Sequence, residues 1–130
     1  MASLFIIMLF LHILDDFVLQ PICLSKLKQK KWWKEMKRKE NITNKTLYDE
    51  DYICALIIHG LSWSAMVHFP FIISSDKELI IWLSFIIHAI IHAFIDNQKA
   101  NKYRINLIQD QLFHLIQLFI IFITFKICVL

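Results

Sequence analysis

Apolar residues along this chain gather in four blocks, at about 2–22, 53–73, 79–97 and 105–128. Each is close to the ~20 residues an α-helix needs to cross a ~30 Å hydrocarbon layer. Glycine and proline are nearly absent inside the blocks, so little interrupts a helix. Strands are not expected, because alternation is lacking and a membrane barrel needs many more segments. The pattern predicts an all-α fold: one domain over 1–130, an integral membrane four-helix bundle, with a polar connection over 23–52. The first block has no Lys or Arg before Leu4 and ends in LDDFVLQP rather than a small-residue cleavage site. It is therefore expected to be kept as a helix rather than removed as a signal peptide.

Composition sharpens this picture. The chain is 58% hydrophobic, above the half or so usual for water-soluble domains. A core of 130 residues cannot absorb that surplus. Charge then sets a direction. Lys26, Lys28, Lys30, Lys31, Lys34, Lys37, Arg38, Lys39 and Lys45 fall in the first connection, and Lys99, Lys102 and Arg104 in the third. The second holds only Lys77. Lys and Arg favour the cytoplasmic side, so both termini are expected outside the cytoplasm, in a bacterial inner membrane. The stretch LSKLKQKKWWKEMKRKE mixes Leu24, Leu27, Trp32, Trp33 and Met36 with lysines. It reads as a basic amphipathic helix lying on anionic lipid. Nucleic acid is not an expected partner, since no nucleic-acid-binding pattern accompanies the basic run. The Asn41 and Asn44 sequons, on the predicted cytoplasmic side, carry no meaning. Cys23, Cys54 and Cys128 are an odd set without paired spacing and read as small apolar residues.

The apolar blocks also carry ionisable groups. Helix one holds His12, Asp15 and Asp16; helix two, His59 and His68; helix three, His88, His92 and Asp96; helix four, Asp110 and His114. Such groups are costly in a bilayer and usually functional. His12 and Asp16, His92 and Asp96, and Asp110 and His114 are each four apart, on one helix face. At ~1.5 Å per residue, these six and His59 fall in one slab of roughly 10 Å near the cytoplasmic face. Imidazole and carboxylate together suit a divalent metal: Zn²⁺ first, Mn²⁺ or Fe²⁺ as alternatives. The predicted ligand set is His12, Asp16, His59, His92, Asp96, Asp110 and His114. Seven groups exceed the four of one zinc ion, so two ions bind or some groups orient the others. His68 and His88 are expected to be hydrogen-bonded structural groups. Asp15, about 100° round the helix from Asp16, is expected at the cytoplasmic rim. Gln20, Gln111 and Gln117 are expected to join helices or to support the ligands.

The leading expectation is a metal-dependent hydrolase acting on a lipid or lipid-linked phosphate. Asp110 or Asp16 would serve as general base, and Lys99 with the basic connection would hold an anionic headgroup. A divalent-metal or proton transporter is the alternative, and would call for a homo-oligomer. A non-catalytic membrane effector of a bacterium or phage is a third reading; it needs the apolar helices and not the histidines.

HILDDFVLQ (12–20), Lys26, the lone His59, HAFIDNQKA (92–100) and DQLFHL (110–115) follow one another in an order that resembles a small membrane-protein family of bacteria and phages, domain of unknown function 3307. The resemblance covers nearly the whole chain. The stretch between Lys26 and His59 is longer than that family's pattern. The resemblance implies His12, Asp16, His59, His92, Asp96, Lys99, Asp110 and His114 as motif positions, and implies no reaction. The paired spacing is also loosely similar to intramembrane metal-dependent hydrolases.

Overall fold

The computed structural model of the protein describes residues 2–20, 22–44 and 46–128. Pro21, near the end of the first apolar block, and Lys45 of the basic connection lie outside them. Every regular element among the described residues is helical. They are α1 (Ala2–Ile13), a π-helical segment (Leu14–Leu19), α2 (Ile22–Leu27), α3 (Lys30–Lys39), α4 (Asp51–Ile72), α5 (Glu78–Ala100) and α6 (Leu107–Cys128).

Helices α4, α5 and α6, of 22, 23 and 22 residues, are long and apolar enough to cross a membrane. The first block differs from the continuous helix its hydropathy predicts. Its α-helix stops after 12 residues and widens into six π-helical residues around Asp15 and Asp16. The chain turns extended at Gln20, whose N–H donates to the Asp15 carbonyl at 2.9 Å. A π turn closes over five residues rather than four, so neighbouring side chains diverge less. Both aspartate side chains are buried there.

The predicted basic helix is two helices. Trp33 Nε1 donates to the Leu27 carbonyl at 2.8 Å, and its ring stacks on Tyr48, so α3 folds back beside α2. Lys37 donates to Asp49 at 2.7 Å and holds that carboxyl below its ordinary pKa. The last turn of α3 carries Lys37, Arg38 and Lys39, matching the negative end of the helix dipole. Asn101, just past α5, accepts from the Lys30 backbone N–H at 2.7 Å and donates to the Lys28 carbonyl at 2.9 Å. The two basic connections therefore meet at one end of the molecule.

α4 packs along α5, while α1 lies against α4 and α6, and α6 against α5. Away from the basic end these helices close on Met8, Trp63, Val67, Phe71, Leu118, Ile121 and Phe125. Phe71 and Phe125 stack there with ring centroids 4.1 Å apart. The outward faces are equally apolar: Phe10, Ile90, Phe94 and Ile108 are all exposed. An apolar exterior of this kind marks contact with an apolar partner rather than water.

Gly60 sets the closest approach of α4 to α5. A Cβ there would lie 2.5 Å from the Ala89 carbonyl oxygen and 3.2 Å from Ala93 Cβ. Its neighbour in sequence is His59, whose ring lies 5.0 Å from that of His92, next to Ala93 on α5. Gly60→Leu is expected to separate the two helices, lower thermal stability by about 1–3 kcal/mol through overpacking, and pull His59 away from His92. Thermal unfolding in detergent checks this; an unchanged midpoint would contradict it.

Candidate metal centre

The basic half of the helix contact is polar rather than apolar. α1 contributes His12, the π segment Asp15 and Asp16, α4 His59, α5 His92 and Asp96, and α6 Asp110 and His114. All have buried side chains. The seven residues singled out by spacing thus converge from five elements. Ring centroids are 5.0 Å apart for His59 and His92, 4.0 Å for His92 and His114, and 6.1 Å for His12 and His114.

Two groups of three place one ligand atom from each residue within 4.8 Å of the others: Asp16, His59 and His92, and His92, Asp96 and His114. His92 belongs to both. His59 Nε2 is 3.5 Å from Asp16 Oδ1 and 3.5 Å from Asp96 Oδ2. His92 Nε2 is 3.9 Å from Asp96 Oδ1. These separations are longer than hydrogen bonds, which run to about 3.2 Å for N–H···O. They are close to the ~3.3 Å edge of a tetrahedron whose metal–ligand bonds are about 2.0–2.1 Å. His114 Nε2 approaches Asp96 Oδ1 more closely, at 3.2 Å.

The polar atoms here are under-bonded. Both ring nitrogens of His92, Asp15 Oδ2, Asp16 Oδ1, Asp110 Oδ1 and His114 Nδ1 are buried without a hydrogen-bond partner. Each such atom costs roughly 1–3 kcal/mol unless something else satisfies it. Charge points the same way. The four carboxylates Asp15, Asp16, Asp96 and Asp110 face two ammonium groups, Lys28 and Lys99. With the imidazoles neutral, two negative charges are left over. One divalent cation would cancel them and give a partner to one nitrogen of His92 and to the ligand atoms grouped with it.

Not every candidate is placed alike. His12 Nδ1 accepts from Trp63 Nε1 at 2.7 Å, so that nitrogen is occupied. The Trp63 ring also stacks on His92 at 4.4 Å, fixing it from the side. His12 and Asp110 fall outside both groups of three. Asp110 bonds Lys99, and its Oδ1 lies 3.5 Å from His114 Nε2, beyond hydrogen-bond reach. Gln111 donates to Asp16 at 3.4 Å and to Asp110 at 3.3 Å. His68 is hydrogen-bonded through both nitrogens, to the Ser64 carbonyl and Ser84 Oγ. His88 differs from the hydrogen-bonded role expected of it, for its Nδ1 is buried without a partner.

Two participants escape sequence reasoning. Asp15 is buried rather than at a rim; it accepts from Ser62 at 2.6 Å and lies 3.7 Å from His59 Nδ1. The π turn is the cause. Lys28, hidden among the lysines of the basic run, is buried and donates to Asp96 at 2.5 Å. Buried lysines are rare unless paired. Lys26, the lysine of the motif order, is exposed instead.

A cavity of about 120 Å³ opens onto the cluster, lined in part by Asp16, His59, Asp96, Lys28 and Lys99. No family model, curated protein or solved structure matches this chain.

Proposed function

We propose that this is an integral membrane protein whose helices enclose a divalent-metal centre, and that the centre hydrolyses a lipid or lipid-linked phosphate. The carrying observation is His92, whose two ring nitrogens are buried, unpartnered and shared between two ligand groups. In this reading α1 with its π segment, α4, α5 and α6 form the bundle in the bilayer. Their exposed apolar faces meet lipid, and the joined basic connections lie at the cytoplasmic surface of a bacterial inner membrane, with both termini outside. α3 rests on anionic headgroups.

His92, Asp96 and His114 hold the ion, with His59 beside them. A bound Zn²⁺, Mn²⁺ or Fe²⁺ supplies a water whose pKa falls toward neutrality. Asp16 lines the cavity with one oxygen unpartnered, and would accept the proton of the attacking water. The water oxygen would form the new P–O bond, the ester P–O bond would break, and the proton held by Asp16 would pass to the departing alkoxide oxygen. Lys99, a third exposed in its side chain, stabilises the phosphoryl oxygens. Asp110 is then not the base, because it is tied to Lys99 and does not line the cavity. Phosphate release from dioctanoyl phosphatidic acid in mild detergent tests this. The activity should stop with chelator, return when metal is restored and be absent in Asp16→Asn. An Asp16→Asn protein as active as the wild type would remove the assigned base.

One observation favours transport as a second reading. Polar side chains continue from His92 to His88 and on to His68, and Gln117, which donates to the His88 carbonyl at 2.6 Å, has a buried unpartnered oxygen. Beyond His68 the path meets Phe71 and Phe125. Metal or proton flux in proteoliposomes without phosphate release would select it.

A further inference from the structure

The metal-facing cavity has two neighbours of opposite character. On one side lies a second cavity of about 290 Å³, and the two share Gln20, Lys28, Asp96 and Lys99 in their walls. Its lining carries Lys28, paired with Asp96, and Lys99, paired with Asp110 outside the cavity, and Ser25, Gln29 and Tyr103 add hydrogen-bonding groups. Tyr103 is held at φ 54°, the left-handed region that aromatic residues rarely occupy. At 290 Å³ the space is at the small end of ligand pockets, enough for a headgroup and not for a whole lipid.

On the other side the metal-facing cavity is rimmed by Phe17 of the π segment and Leu107 of α6. Both belong to the outward apolar surface, 60% and 57% exposed. Between these two elements the direct polar link is the long 3.4 Å contact from Gln111 to Asp16. A cavity with the buried carboxylates Asp16 and Asp96 and the histidine His59 is thus bordered by outward apolar side chains at one edge and lysines at another. A water-soluble substrate has no use for the first edge, and a neutral lipid none for the second.

We infer that the gap between the π segment and α6 is a lateral portal, through which an amphiphile bearing a phosphate monoester enters from the bilayer. Its tails stay against Phe17 and Leu107, and its phosphate reaches the chamber walled by Lys28, Lys99 and Gln20. This rests on the hydrolase reading for its chemistry, but its geometry can be tested without turnover. Gln20, with its amide oriented to satisfy both ends, accepts from Lys28 Nζ at 2.6 Å and donates to the Asp16 carbonyl at 3.2 Å. That contact fixes the lysine between the two cavities. The same chemistry could come from free phosphate, which would use only the lysine chamber.

The test is binding, in mild detergent, of the non-hydrolysable phosphonate analogue of dioctanoyl phosphatidic acid, with methylphosphonate as the headgroup alone. Calorimetry should find the lipid analogue bound at least tenfold more tightly than methylphosphonate. Phe17→Ser with Leu107→Ser, at two exposed positions, should remove most of that advantage and leave methylphosphonate within twofold. Lys99→Gln should weaken both. Equal affinity of the two ligands for the wild type would overturn the portal in favour of free phosphate. An undiminished preference for the lipid analogue in the double serine variant would also overturn it. Metal content measured on the same samples separates the two readings. Retained metal with no lipid preference sinks the portal alone; absent metal sinks the hydrolase centre, whatever the lipid result.

Discussion

Replacing His92 by Ala is expected to lower divalent-metal affinity by at least about 100-fold and to abolish the proposed hydrolysis. Loss of a group that merely orients a ligand costs about 10–100-fold, and a residue shared by both ligand groups should exceed that. The reason is positional. His92 is fully buried, stacked between Trp63 and His114, and offers two nitrogens that nothing else in the protein uses. His68→Ala, one polar cluster further along, is the matched control. It removes a buried histidine whose nitrogens are already hydrogen-bonded, so it should reduce stability and leave metal affinity within about threefold. Metal titration of both variants with a fluorescent competitor reads the difference. Equal losses in the two would mean that the histidines matter only to folding.

The second large effect concerns Lys28. Its ammonium is the nearest positive charge to Asp96, and both groups are buried. Lys28→Met leaves that carboxylate without its cation, and breaking a buried pair in this way costs about 3–5 kcal/mol. A bound divalent ion would replace the missing charge. The account therefore expects a large loss of thermal stability for metal-free Lys28→Met and a clearly smaller one when metal is present. Lys26→Met, at an exposed site two residues away, should stay within about 0.5 kcal/mol of the wild type. An equal loss for Lys28→Met with and without metal would argue that Lys28 is a structural partner only.

Much of this arrangement could be read from the chain. The apolar blocks mark α4, α5 and α6 because each is a long run without a strong break. The i,i+4 pairs on α5 and α6 predict shared faces because both are regular helices, where that spacing holds. The first block reads less well for a definite reason. Hydropathy reports burial, not the number of residues per turn, and the π segment changes the latter. Asp15 was placed at the rim by an α-helical 100° step that the chain does not take there. Lys28 was hidden by company: among so many lysines nothing local distinguishes the one that Asn101 and Asp96 draw inward. The division of labour within the cluster was also illegible. That Trp63 occupies His12 and Lys99 occupies Asp110 depends on contacts between helices, which no single helix encodes.

The central claim is that the excess of two buried carboxylates is balanced by a metal ion. The most direct measurement is the metal content of the wild-type protein, purified in mild detergent without chelator or affinity-column metal, by inductively coupled plasma mass spectrometry. The account predicts at least one Zn²⁺, Mn²⁺ or Fe²⁺ per chain, retained through dialysis. A protein that carries no metal, and takes up none when each of the three ions is offered, would contradict it and leave proton uptake by the histidines as the way the cluster is neutralised.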